Sequence, residues 1–151
     1  LCKAQGVPVL LHAWPGRNDT VRLGLSALLA QHPELTGCMF LPGDQPLLRR
    51  ATVDQLLTAF AQTQKETERV IFRLGATAGN GPDPLVGSPV LFSNGFFPEL
   101  LTLPEGKGGS VLLHKYPTLL HTACTAQPEE LADTDTPAAL AQLEALVQEK
   151  G

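Results

Sequence analysis

The sequence predicts an α/β domain with a mainly parallel sheet. Short apolar runs alternate along the chain with longer segments whose apolar residues recur at helical spacing. Gly- and Pro-rich turns separate them. With 151 residues, the chain is long enough for one domain with a sizeable core.

Residues 7–12, Val-Pro-Val-Leu-Leu-His, suit a buried strand with Pro8 near its start or at an edge. Turn chemistry follows at Gly16-Arg17-Asn18-Asp19. A helix then starts with Asp19 or Thr20 as N-cap and Val21, Leu25, Leu28 and Leu29 on one face. Gln31-His32-Pro33 ends it. Residues 38–41 form the second strand. Around Thr52 a second helix begins, with a stripe of Val53, Leu56, Leu57 and Phe60. A third strand is expected over 70–74, a loop with four Gly and two Pro over 75–87, and a strand over 88–92. A short helix over 96–101 and a Gly-rich turn at 106–109 precede the apolar Val111-Leu112-Leu113. A further strand covers 120–125. The last helix has Thr136 as N-cap, Pro137 at the favoured first position, and Leu140, Leu143, Leu146 and Val147 as its buried stripe.

Hydrophobic residues make up 43% and charged residues 17%, as in soluble globular proteins. The net charge of -4 and the lack of a basic block argue against a general nucleic-acid binder. No apolar run approaches the roughly 20 residues needed to span a bilayer. Cys2, Cys38 and Cys124 are odd in number and widely spaced, without a C-x-x-C, so reduced thiols fit better than a zinc site or disulfide framework. With no signal peptide, the reading is a cytoplasmic protein.

The most informative stretch is Leu41-Pro42-Gly43-Asp44-Gln45-Pro46. It delivers a carboxylate at the C-terminal end of a strand, where open α/β sheets place their ligands. Asp44 suits Mg²⁺, which takes hard oxygen ligands from one or two carboxylates plus phosphate. A turn Asp also caps a following helix, and both roles stand. Asp133-Thr134-Asp135-Thr136-Pro137 places two acids before a helix, where they complement its dipole or join Asp44 at a metal for phosphoryl or nucleotidyl transfer. Thr20 and Arg22 lie at a helix start that can bind anionic or polar groups, and Arg22 reads equally as a solvated residue. Lys107 among Gly106, Gly108 and Gly109 suits a phosphate or a flexible turn, without Walker spacing. His12, His32, His114 and His121 show no metal-ligand spacing.

In this order these segments resemble the MobA-like nucleotidyltransferases, nearest to the molybdenum cofactor cytidylyltransferase branch. The matching residues are Asn18-Asp19-Thr20-Val21-Arg22-Leu23-Gly24-Leu25, the Asp44 turn, Gly87-Ser88-Pro89-Val90-Leu91-Phe92-Ser93, Gly106-Lys107-Gly108-Gly109 and Asp133-Thr134-Asp135-Thr136-Pro137. The resemblance implies a Rossmann-like three-layer α/β/α fold of the nucleotide-diphospho-sugar transferase type. It implies Mg-dependent transfer of CMP from CTP to the phosphate of molybdopterin bearing molybdenum, with release of pyrophosphate. Asp44 takes the catalytic, metal-binding position after the central strand, and Asp135, with Asp133 as the alternative, takes that of the late acidic residue completing the metal site. Gly43 belongs to the same turn. Thr20 and Arg22 match the segment near the nucleotide base. Gly87, Ser88 and Pro89 match the loop entering the acceptor pocket, where many relatives have His in place of Ser88. Lys107, Gly108 and Gly109 match a loop toward the pterin. A homo-oligomer, or a molybdoenzyme or chaperone partner, is compatible with the family; nucleic acid and membrane are not expected partners.

The family opens with a strand and a loop of the form L-A-A-G-x-S-x-R-M-G, then a Lys, which hold the triphosphate. Residues 1–17 do not resemble it. The expectation is therefore one domain over residues 1–151, incomplete at its N-terminal side, and by itself poorly active, aggregation-prone or dimerised. Two alternatives are a related transferase using GTP or another acceptor, and a non-catalytic nucleotide-binding, pterin-binding or partner module.

Overall fold

The longest strand, Leu85–Ser93, organises the sheet. In the computed structural model, which describes residues 2–77 and 83–150, it is β3. It pairs antiparallel with both β1 (Gly37–Phe40) and β2 (Ile71–Ala76). β4 (Leu120–Thr125) joins β2 in parallel, giving the order β1-β3-β2-β4 among the described residues. The sheet is thus mixed, not mainly parallel. The cause is the short connection from β2 to β3: a parallel return needs a crossover of a dozen or more residues. The expected loop over 75–87 shrinks accordingly, with Gly75 and Ala76 in β2 and 85–87 in β3. Its residues 78–82 lie outside the described residues.

Register between β2 and β3 shifts at Arg73/Leu74, leaving Ser88 and Pro89 between the paired Gly87 and Val90. Proline has no ladder donor, so it fits such an irregularity. The Ser88–Pro89 peptide bond is cis.

Helices cover both faces of the sheet. α1 (Arg17–Gln31), α3 (Phe97–Leu101) and α4 (Ser110–Lys115) pack on one side, around Leu25, Ile71, Phe92, Phe96, Leu100 and Leu112. α2 (Arg50–Gln64) covers the other, where Leu56 and Phe60 meet Phe72 and Leu91. Strand alternation sorts the side chains: Ile71 and Phe92 face one cluster, Phe72 and Leu91 the other. Burying one large apolar side chain contributes roughly 1.5–3 kcal/mol. Of the stripe expected on α2, Leu57 is exposed, and the buried Thr52 takes a place near the helix start.

Three local expectations are corrected. Residues 7–12 form no strand: Val7, Val9, Leu10 and Leu11 are exposed, because a strand needs a ladder partner and β1 pairs only with β3 among the described residues. α1 starts at Arg17 after Gly16, without a side-chain cap. Asp19 is occupied by Arg22 at 3.0 Å and the Thr20 hydroxyl by His12 at 3.1 Å, so neither turns back to cap. α5 (Pro137–Lys150) does carry its Thr136 cap, bonded by the Ala139 N–H at 3.1 Å, but buries only Leu143 of its stripe. Leu140, Leu146 and Val147 are exposed, since α5 packs lightly on the rest.

Glu99 gathers Arg69, Lys115 and Tyr116 at the opposite end of the sheet from the Asp44 turn, with the Arg69 guanidinium over the rings of Phe96 and Tyr116. The Lys115 bond, against a burial cost and with help from Tyr116 and Arg69, holds the Glu99 carboxyl below its ordinary 4.5. No helix among the described residues is long and apolar enough to cross a membrane.

Two outcomes are expected. A Cβ on Gly75 would lie 2.6 Å from Thr122 Cγ2 and 2.9 Å from the Leu85 carbonyl oxygen, between its two neighbouring strands. Gly75→Ala therefore lowers stability by about 1–3 kcal/mol in chemical denaturation. A depressed carboxylate contributes stability that is fully present above 4.5 and is lost as pH falls through its lower folded value. Glu99→Gln should melt below the native chain at pH 7, with the gap closing under acid; a constant gap from pH 7 to 3 would contradict this.

Candidate active site

Asp44 sits on the turn that leaves β1. It is half-buried, and its Oδ1 is buried without a hydrogen-bond partner. Buried acceptors are rarely left so, and the exceptions call for a ligand, ion or water. Asp44 caps no helix, because the N-cap of α2 is Arg49. Gly43 has no left-handed backbone, and a Cβ on it would meet nothing within 4 Å. Neither turn geometry nor packing requires this glycine; what it does is leave one side of the turn open.

The 133–136 segment arrives from β4 and docks on this turn. The Thr134 N–H and hydroxyl both donate to the Asp44 carbonyl oxygen, at 3.0 and 3.2 Å. Asp135 is thereby brought within hydrogen-bond reach of the Asp44 carboxylate. That bond, then the charges of Asp133 and Asp44, push the Asp135 carboxyl above its ordinary value. Two carboxylates pressed together in this way suit a cation or a shared proton. Asp133 acts on Asp135 through its charge. Among the described residues no group of three His, Cys, Asp or Glu converges as a metal cage, so an ion here would take two protein carboxylates and fill its shell from substrate or water.

Further bonds tie the same segments together. Gln45 Nε2 donates to the Leu131 carbonyl at 3.4 Å. Glu130, 1% exposed, accepts from the Arg49 N–H at 3.2 Å, Arg49 Nε at 3.1 Å and the Thr125 hydroxyl at 2.9 Å. Burial alone would raise its carboxyl; bonds from Thr52, the Arg49 backbone, Thr125 and the Arg49 side chain outweigh that and lower it.

A cleft of about 750 Å³ opens beside the turn, between β1 and β3 of the sheet and the helices α1 and α4. It is lined by Thr20, Ser88, Gly108 and Gly109, with Arg17 and Pro42 at its sides. The structure thus gathers four of the expected residues, while Asp44 follows Pro42 two positions later. Pro89 is buried beside Ser88. Gly87 packs against Leu131, where a Cβ would make contact at 3.4 Å. Arg22 is engaged by Asp19 and lies over the Trp14 ring at 5.2 Å. Lys107 is exposed on its loop, which is tied to α1 by the Gly106 N–H donating to Asn18 Oδ1 at 2.9 Å. Gly106 takes φ +71°, a left-handed turn that suits glycine. A second depression, of about 520 Å³, lies between α5 and residues 46–49 and holds none of the expected residues.

Sequence reasoning misses Arg49 and Glu130 as parts of the site and assigns no individual role to Arg17, Asn18 or Thr134. Asn18 and Thr134 lie inside segments that carry the resemblance, and Arg17 immediately precedes the first of them. Glu130, in a Pro-Glu-Glu run, reads as a solvated surface residue and carries no signal of its burial.

The family model of the MobA-like NTP transferase domain matches residues 1–122. The fold is similar to the crystal structure of Rv0371c from Mycobacterium tuberculosis H37Rv, with a TM-score of 0.67 and 26% identity over 91% of this chain. It is similar also to the structure of the Rv0371C complex with manganese, with a TM-score of 0.62 and 22% identity over 91% of this chain. The chain spans 64% and 65% of those two chains, slightly under two thirds of their length. No curated protein matches it. The extent of the family match decides the matter: this chain belongs to the MobA-like NTP transferase domain family.

Proposed function

We propose that the chain carries the metal-binding part of a nucleotidyltransferase that moves CMP from CTP to a molybdopterin-type acceptor, with release of pyrophosphate. The observation that carries this reading is the Asp44–Asp135 carboxylate pair, with the buried Asp44 Oδ1 unpartnered, beside a cleft lined by β1, β3 and α1. Family membership supports a nucleoside triphosphate as donor. The manganese complex of Rv0371C supports a divalent ion in this family, and Mg²⁺ fits two hard carboxylates completed by phosphate oxygens. Asp44 and Asp135 would hold it, with Asp133 adding negative charge nearby.

An acceptor phosphate is already ionised near neutral pH, so its attack on the α-phosphorus of the donor needs no general base. What the reaction needs is alignment and neutralisation of charge. A bound divalent ion supplies neutralisation at the phosphate oxygens. Arg17, at the cleft wall beside Gly108, adds a positive charge, and the exposed Lys107 adds another on the neighbouring loop. Ser88 and Pro89, freed from the ladder by the register shift, shape the acceptor side. Thr20 and Arg22 are assigned to the nucleotide base. Both are held by the 12–14 segment, so base contact through them requires His12 and Trp14 to give way. The reading places the protein in the cytoplasm.

Calorimetric titration with Mn²⁺ tests the metal site. Asp44→Ala should weaken binding by at least about tenfold, since even outer partners of a metal ligand are worth about 10–100-fold. Affinity equal to the native chain's would remove the principal support for the reading. Competition between CTP and GTP for the Mn²⁺-loaded chain tests the base; the reading expects CTP to displace GTP at equal concentration, and a preference for GTP would reassign the donor.

A further inference from the structure

Glu130 is buried and ionised, yet it touches neither carboxylate of the pair. Its Oε1 accepts from Arg49 Nη2 at 3.0 Å, Arg49 Nε at 3.1 Å and the Thr125 hydroxyl at 2.9 Å, while its Oε2 accepts from the Arg49 N–H at 3.2 Å. Arg49 is the residue from which α2 starts and at which the Asp44 turn ends. Thr125 is the last residue of β4. The carboxylate therefore joins the far end of one loop to the base of the other. β1 and β4 are the outermost strands of the sheet, three strand spacings or about 14 Å apart, so nothing in the ladder itself brings Asp44 and Asp135 together.

We propose that Glu130 is the positioning residue of the carboxylate pair: by fixing Arg49 against Thr125 it sets the approach of the Asp44 turn to the 133–135 segment. This rests on the metal-site reading above only for its consequence, not for its geometry. The chemistry demands a carboxylate. Four donor contacts from Arg49 and Thr125, with Thr52 adding to them, converge on two oxygens that carry no proton. An amide in its place keeps one acceptor oxygen and turns two N–H donors toward the donors already there. The next links of the chain follow from the clamp: Gln45 reaches the Leu131 carbonyl, and Thr134 reaches the Asp44 carbonyl twice. Length matters as well as charge. Glu130→Asp shortens the side chain by one methylene, so the carboxylate would reach Arg49 or Thr125 but not both at these distances.

The test pairs amide hydrogen exchange with Mn²⁺ titration on the whole chain carrying Glu130→Gln. The Thr134 amide, bonded to Asp44, should lose at least about tenfold of its protection while the β2–β3 amides keep theirs. Mn²⁺ affinity should fall about 10–100-fold, the range found for residues that orient metal ligands. A folded variant with native protection at Thr134 overturns the proposal. So does native Mn²⁺ affinity in a chain where Asp44→Ala does lose it. If the native chain itself ignores Mn²⁺, the metal reading fails alone, and exchange at Thr134 still decides the positioning role. Should Glu130→Gln not fold, Arg49→Met breaks the same clamp from its exposed side. It is then expected to show both losses in smaller measure, and native values for it would overturn the proposal.

Discussion

The architecture is governed by one distance. The two acids of the candidate site hang from strands at opposite edges of the sheet, and two other strands lie between them. Loops must cover that span, and a loop that spans open space would sample many conformations. The chain solves this by laying the 3-10 turn Pro128–Leu131 over the ends of β2 and β3, with Leu131 against Gly87, and by nailing its far side to the Asp44 turn. The Glu130 tie satisfies a carboxylate that would otherwise be an unpaired charge in the core. A buried carboxylate is costly unless paired and fully bonded, which is why Glu130 holds its partners so firmly.

The ties also leave the right atoms free. Thr134 grips Asp44 through its main-chain oxygen, not its carboxylate. The Asp44 Oδ1 has no partner, and a second acid, Asp135, lies within reach of the carboxylate. Here the electrostatic conflict is kept, and a cation is the natural means of relieving it.

Much of this is legible in the sequence, and the limits have physical causes. β4, Leu-His-Thr-Ala-Cys-Thr, forms over the residues where the sequence places it. The Thr136-Pro137 cap is equally plain, since capping is local chemistry. The direction of β3 is not, because strand polarity depends on connection length and pairing, which periodicity does not encode. The apolar 7–12 run misleads for a related reason: a strand is a property of two segments, and its partner is not among the described residues. At the site, Asp44 and Asp135 stand out as acids on turns at strand and helix ends. Their approach to each other is only implied by a family resemblance. The residues that enforce the approach are invisible, because Glu130 and Arg49 lie 81 positions apart and neither belongs to a motif.

The inserted antiparallel strand has a consequence for how the molecule assembles. β2 and β3 form a local hairpin, closing a short loop at small entropic cost, whereas β1 meets β3 only across some 50 intervening residues. The hairpin is thus the natural first-formed unit, and the outer strands join it afterwards. The acids ride on those later additions. The candidate-site end of the molecule then depends on the contacts that close the longer loops, the kind of region that opens by local excursions below global unfolding. A bound substrate or ion that bridges the two outer strands would act as the closing stitch of the fold itself.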